Sequence, residues 1–200
     1  MSNETLMKDL ETATAIARQG QNAPLLGGSI GLMWGVLLTV VLGLQYAILE
    51  QIIALPFYSI AFLWIGFGLI GGAGNFILGR KIEQMDGAYS FGNRVEAAVW
   101  VMFGAMISTS FVAALIATAT GLQDSTIWGL IIVLAFMGQG LAYGATTRIK
   151  HSSLVTFSAL SCFVAGTASL LVYDTTLVFL IGAIGSFFAI VIPSLFSLKA

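Results

Sequence analysis

The sequence predicts an all-α membrane protein: six transmembrane helices in one bundle, preceded by a short amphipathic cytoplasmic helix. Three observations predict it. The composition is apolar throughout, six long apolar stretches alternate with short polar breaks, and every lysine and arginine falls in alternate breaks. Of the 200 residues, 58% are hydrophobic and 8% charged, against roughly 25% charged in ordinary soluble domains. A soluble globule of this size needs more polar surface than the chain supplies, so part of its solvent is hydrocarbon. A net charge of −1 argues against a nucleic-acid partner, which calls for a basic patch.

Two regions follow from the pattern: a cytoplasmic helical segment over 1–22 and a transmembrane domain over 23–200. In 3–19, Leu6, Leu10, Ala13 and Ile16 or Ala17 recur at helical spacing with the charges on other faces. Ser2 or Asn3 suits its start, and Gly20, Gln21 and Asn22 its end. Acidic Glu4, Asp9 and Glu11 stand among Lys8 and Arg18 with no apolar run before Pro24, which is unlike a secretory signal.

A spanning helix needs about 20 mainly apolar residues. Six stretches qualify: 25–49, 56–79, 95–118, 126–147, 154–172 and 175–197. Pro56 opens the second. Asn93 and Glu96 have near capping-box spacing before the third, Gly121 closes it, and Asp124 or Ser125 caps the fourth. Tyr173, Asp174 and Thr175 make a tight hairpin between the last two. Runs such as 32–44 and 127–136 do not alternate in polarity, which excludes a β-barrel.

Charge sets the orientation. Lys8, Arg18, Arg80, Lys81, Arg94, Arg148, Lys150 and Lys199 all fall on one side of a six-span chain, and the opposite breaks hold Glu50, Asp124 and Asp174. The positive-inside rule then puts both termini in the cytoplasm. Tyr46, Tyr58, Trp100, Trp128, Tyr143 and Tyr173 lie near predicted span ends, where amphipathic rings favour the headgroup zone.

Close packing holds helices together in lipid, and glycine spacing supplies it. Gly27, Gly31 and Gly35 make two successive G-x-x-x-G steps, Gly68 and Gly72 another, and Gly140 and Gly144 a third. Ser158, Cys162 and Gly166 continue the small-residue pattern. Such ridges pack helices within one subunit, or face a second copy or a partner protein. Trp34, Gly35 and Gln45 reappear at one offset as Trp128, Gly129 and Gln139, as an inverted three-plus-three repeat would require.

No ionisable residue is expected at mid-membrane depth, which disfavours proton- or sodium-coupled transport through carboxylates. Neutral polar groups do occur there, Gln45, Asn75, Ser108, Thr109, Ser110 and Gln139; they hydrogen-bond across helices, or, in the alternative, Gln45, Asn75 and Gln139 line a small polar cavity. Gly27, Gly28, Ser29, Ile30 and Gly31 match G-x-S-x-G, a motif with catalytic meaning only on a strand–turn–helix. His151 has no second histidine to share a metal or haem, and Cys162, alone, closes no internal disulfide. No catalytic residue, cofactor or metal is expected.

The stretch Pro24, Leu25, Leu26, Gly27, Gly28 with Trp34 and Gly35 resembles the opening of an uncharacterised group of short bacterial six-span integral membrane proteins. The resemblance implies residence in a bacterial inner membrane and carries no catalytic residues. The expected function is a non-enzymatic accessory, regulatory or assembly subunit acting through a protein partner or a second copy. Its docking face would include 3–19 and the loop 80–94. The alternative is a small channel or facilitator for a neutral solute.

Overall fold

Each apolar stretch becomes one helix. The computed structural model describes residues 28–85, 88–122, 124–150 and 152–198, with Thr5, Met7 and Thr14 besides. The helices are α1 (Ser29–Leu49), α2 (Ser59–Glu83), α3 (Phe91–Ala119), α4 (Ile127–Lys150), α5 (Ser153–Leu170) and α6 (Leu177–Ser197). All six are long and apolar enough to cross a membrane, and no strand occurs among the described residues. Thr5, Met7 and Thr14 are helical; the rest of the helix expected over 3–19 lies outside the described residues, as do Gly27 and His151.

The largest departures in length are at the break after α2. That helix runs on to Glu83 and α3 begins at Phe91, so the expected loop over 80–93 shrinks to 84–90. The cap of α3 is Ser90, whose hydroxyl accepts from the Asn93 amide at 3.4 Å. Asn93 and Glu96 therefore stand inside the helix rather than at its cap. At the far end Gly121 adopts φ +70°, its amide donates to Thr118 O at 3.2 Å, and the Leu122 amide reaches Ala117 O at 2.9 Å. This is a Schellman closure, which the left-handed residue makes possible.

Contacts between helix ends show which ends lie together. A Cβ on Gly31, early in α1, would lie 3.0 Å from Ser194 Oγ late in α6, and one on Gly92 would lie 2.9 Å from Ile149 late in α4. At the opposite end the Thr176 hydroxyl donates to the Glu50 carboxylate, and Gly129 abuts the Tyr173 carbonyl. Arg94 and Arg148 thus share an end with the start of α1 and the finish of α6, while Glu50, Asp124 and Asp174 occupy the other.

The core belongs to α1, α4, α5 and α6. Leu42, Ile132, Phe136, Ala159, Cys162, Val178 and Ile190 form its centre. Alpha-4 packs along α5, α5 along α6 and α6 along α1; α2 lies outside against α1, and α3 outside against α4. Alpha-2 and α3 do not pack along one another. Alpha-6 widens into a π-turn over Phe187–Val191, with the Ile192 amide donating to Phe187 O. Pro193 two residues on cannot donate to Ala189 O and its ring crowds that carbonyl, so a five-residue bond pattern lets the helix continue through the proline.

Candidate functional site

A buried polar cluster gathers at the basic end. Asn93 and Glu96 are each 2% exposed, although both lie on an otherwise peripheral helix. They occur three residues apart and Trp100 four further on, so all three share the inward face of α3. Trp100 seats that face on α4 through an edge-to-face contact with Tyr143, centroids 4.9 Å apart. Tyr143 is consequently buried within the protein.

Beside Glu96 is a cavity of about 30 Å³, its polar wall made by Glu96, Tyr143, Thr146, Ser158, Ser194 and Ser197. These side chains come from α3, α4, α5 and α6, and Gly28, Leu154, Val155 and Pro193 complete a lining whose exposed area is mostly apolar. The Thr146 hydroxyl donates to Ala142 O at 3.0 Å and that of Ser197 to Ser194 O at 2.8 Å. Gly31 permits the close approach of Ser194: a Cβ there would also come within 3.9 Å of Tyr143 Oη. In the sequence Glu96 read as a capping residue, and its spacing with Asn93 and Trp100 was the available signal for an inward face.

The three residues that the alternative reading put in one polar cavity are separate. Gln45 is buried and its Oε1 accepts from Trp64 Nε1 of α2 at 2.8 Å. Gln139 is buried beside Cys162 of α5, Oε1 to Sγ 3.9 Å. Asn75 is exposed on the outer face of α2. The reason is angular: Gln45 and Gln139 each turn to the next helix in the chain, whereas Asn75 turns away from α1, the neighbour of α2.

The match between the first and fourth spans, which chance or an inverted repeat would explain, extends no further than the two glutamines. Trp34 packs on Phe67 of α2 at 5.1 Å, but Trp128 packs on Phe111 of α3 at 5.2 Å. Alpha-5 lies along α6, while α2 and α3, their counterparts, do not pack together.

The glycines divide. Gly31 and Gly35 face α6, where a Cβ on Gly35 would stand 2.9 Å from Ile190 Cγ2. Gly140 faces Phe163, also at 2.9 Å. Gly68, Gly72 and Gly144 have nothing within 4 Å of an added Cβ. On α2 the close approaches are instead at Gly71, against Trp34, and Gly74, against Met33. One helical residue is a turn of 100°, enough to exchange the two faces. Alpha-2 therefore carries an outward stripe of Gly68, Gly72 and Asn75, with half-buried Gly79 in line.

Fold and site together define a multi-pass helical membrane protein with a polar cluster at its basic end. Comparison with protein-family models, curated proteins and solved structures found no match to the chain.

Proposed function

We propose that the protein is a six-span bundle of the cell (inner) membrane with both termini in the cytoplasm, and that it works as a non-enzymatic accessory, regulatory or assembly subunit through a partner. The observation that carries this reading is Asn75. Its amide lies eight residues inside the basic end of α2, faces outward on a line of glycines, and makes no hydrogen bond among the described residues. Facing hydrocarbon, an unsatisfied amide costs several kcal/mol, roughly 2–7 by transfer measurements. Small residues around it allow another helix backbone to approach closely, and an amide pairs across such an interface as donor and acceptor.

A solute path would rest on Gln45 and Gln139, and their engagement with different helices favours the partner reading. The test is site-specific photo-crosslinking in native membranes, with the probe at Asn75 or at outward-facing Ile70 on the other side of α2. A discrete protein adduct from position 75 and none from position 70 is expected. Equal labelling, or a chain that purifies alone with no adduct at either position, overturns the reading.

A further inference from the structure

We propose that a groove along the outer flank of α3 binds one molecule of anionic phospholipid, with the lipid phosphate on Arg94. This is separate from the protein partner proposed at α2 and does not depend on it. Phe91, Arg94, Val95, Ala98, Val99 and Met102 line the groove, about 530 Å³ in volume. They recur every three or four residues, so they share one face of the helix. Exposed Ala98 makes a low floor between the larger Phe91 and Met102, 80% and 68% exposed. Among the described helices α3 packs along α4 alone, which leaves this flank uncovered. Arg94 is exposed, and its guanidinium makes no hydrogen bond or ion pair among the described residues. Glu96, two residues on, turns inward and is 2% exposed, so the lining carries one cation and no acid.

Charge and length select the occupant. An apolar trough on a membrane-spanning helix suits an acyl chain, and a cation at its end suits a phosphate. Arg94 and Met102 are eight residues apart, about 12 Å of helix rise. Half of a hydrocarbon core of about 30 Å is roughly 15 Å. The groove therefore fits a lipid of one leaflet, its headgroup at Arg94 and one chain reaching toward Met102. A guanidinium forks to two phosphate oxygens at once, while its stem lies along apolar surface and keeps the charge at the interface. A zwitterionic headgroup also carries a cation, and no lining group is negative to receive it. A headgroup of net negative charge meets attraction alone. Arg80 differs: its guanidinium sits over the Phe76 ring at 4.2 Å, and it is not part of the groove.

Native mass spectrometry of the intact, delipidated protein in detergent micelles tests this, with phosphatidylglycerol titrated against phosphatidylcholine. The first should bind about tenfold more tightly, the effect of a charge-assisted hydrogen bond. Arg94→Gln should bring the two lipids level. Ala98→Phe keeps the arginine but fills the floor, and should weaken phosphatidylglycerol binding about tenfold. Arg80→Gln should leave both affinities as they are. Equal affinity of the parent for the two lipids overturns the proposal, as does an unchanged preference in Arg94→Gln. So does an equal loss in Arg80→Gln, which would mean diffuse attraction to the basic end. Glycerol phosphate that displaces the lipid at equal concentration would mean an anion site without a chain, and overturns it too. A photo-crosslinker at Ala98 in native membranes should capture lipid; an adduct to protein alone, a second copy included, overturns it. If Arg94→Gln does not fold, unchanged binding in Ala98→Phe overturns it equally.

Discussion

Trp64 Nε1 donates to Gln45 Oε1 across the α1–α2 boundary at 2.8 Å, joining an outer helix to the core through a buried amide. The bond sits among rings: Trp64 and Trp34 each make an edge contact with Phe67, at 5.2 and 5.1 Å. With Gly71 seated on Trp34, these contacts locate α2.

Trp64→Phe keeps the ring contact and strands the Gln45 carbonyl. A loss of about 1–2 kcal/mol is expected, because a buried acceptor without its donor bears its desolvation cost. Adding Gln45→Leu should cost less than the sum of the single changes. Reversible unfolding in detergent, read as a double-mutant cycle, measures this; simple additivity would show that the bond contributes nothing.

Glycine substitutions should separate sharply by position. An alanine at 129 would place its Cβ 1.8 Å from the Tyr173 carbonyl oxygen, which is backbone. The tight hairpin cannot yield cheaply, so Gly129→Ala should cost about 2–3 kcal/mol or prevent folding. Gly144→Ala meets nothing within 4 Å and should stay within about 0.5 kcal/mol of the parent. Comparable Tm losses in both variants would contradict the helix faces assigned here.

Cys162 is 0% exposed and should resist a membrane-permeant maleimide until the protein unfolds. That silence makes single introduced cysteines readable. Thr176→Cys should label from outside intact cells, and Gln84→Cys after permeabilisation alone. The reverse pattern would invert the orientation.

Asp124 is fully exposed, and its carboxylate accepts from both the hydroxyl and the amide of Thr126, which lowers its pKa below the usual 3.8. The folded value lies below the unfolded one. The stabilising contribution is therefore present above the unfolded pKa and disappears as pH falls through the folded value. Thr126→Val removes the hydroxyl bond, the largest cause, and should move the titration up toward the ordinary range. Carboxyl NMR of labelled Asp124 reads the midpoint; an unmoved midpoint would assign the shift to the remaining amide bond.

Much of the fold was legible. Hydropathy located six helices because a bilayer needs length and apolarity, both local properties of the chain. Gly121 was legible as the end of α3 because its left-handed φ is a local preference too. Ser90 was missed as the opening cap because the Asn93 and Glu96 spacing offered a competing signal downstream. The cluster around Glu96 was not legible: its members come from four helices, and sequence spacing says nothing about which of those meet. The same holds for α2, where Gly68 with Gly72 and Gly71 with Gly74 are equally plausible ridges until α1 is placed.

By itself, the sequence determined that the described residues form six hydrocarbon-compatible helices, with Arg80, Lys81, Arg94 and Arg148 at one end, since backbone satisfaction in lipid depends on each segment alone. Tertiary structure decided which faces of those helices are hidden. It put Glu96 inside, Asn75 outside, and Gln45 and Gln139 against different neighbours. That choice follows from side-chain fit between distant segments, such as Gly35 receiving Ile190, and no stretch of chain carries it alone.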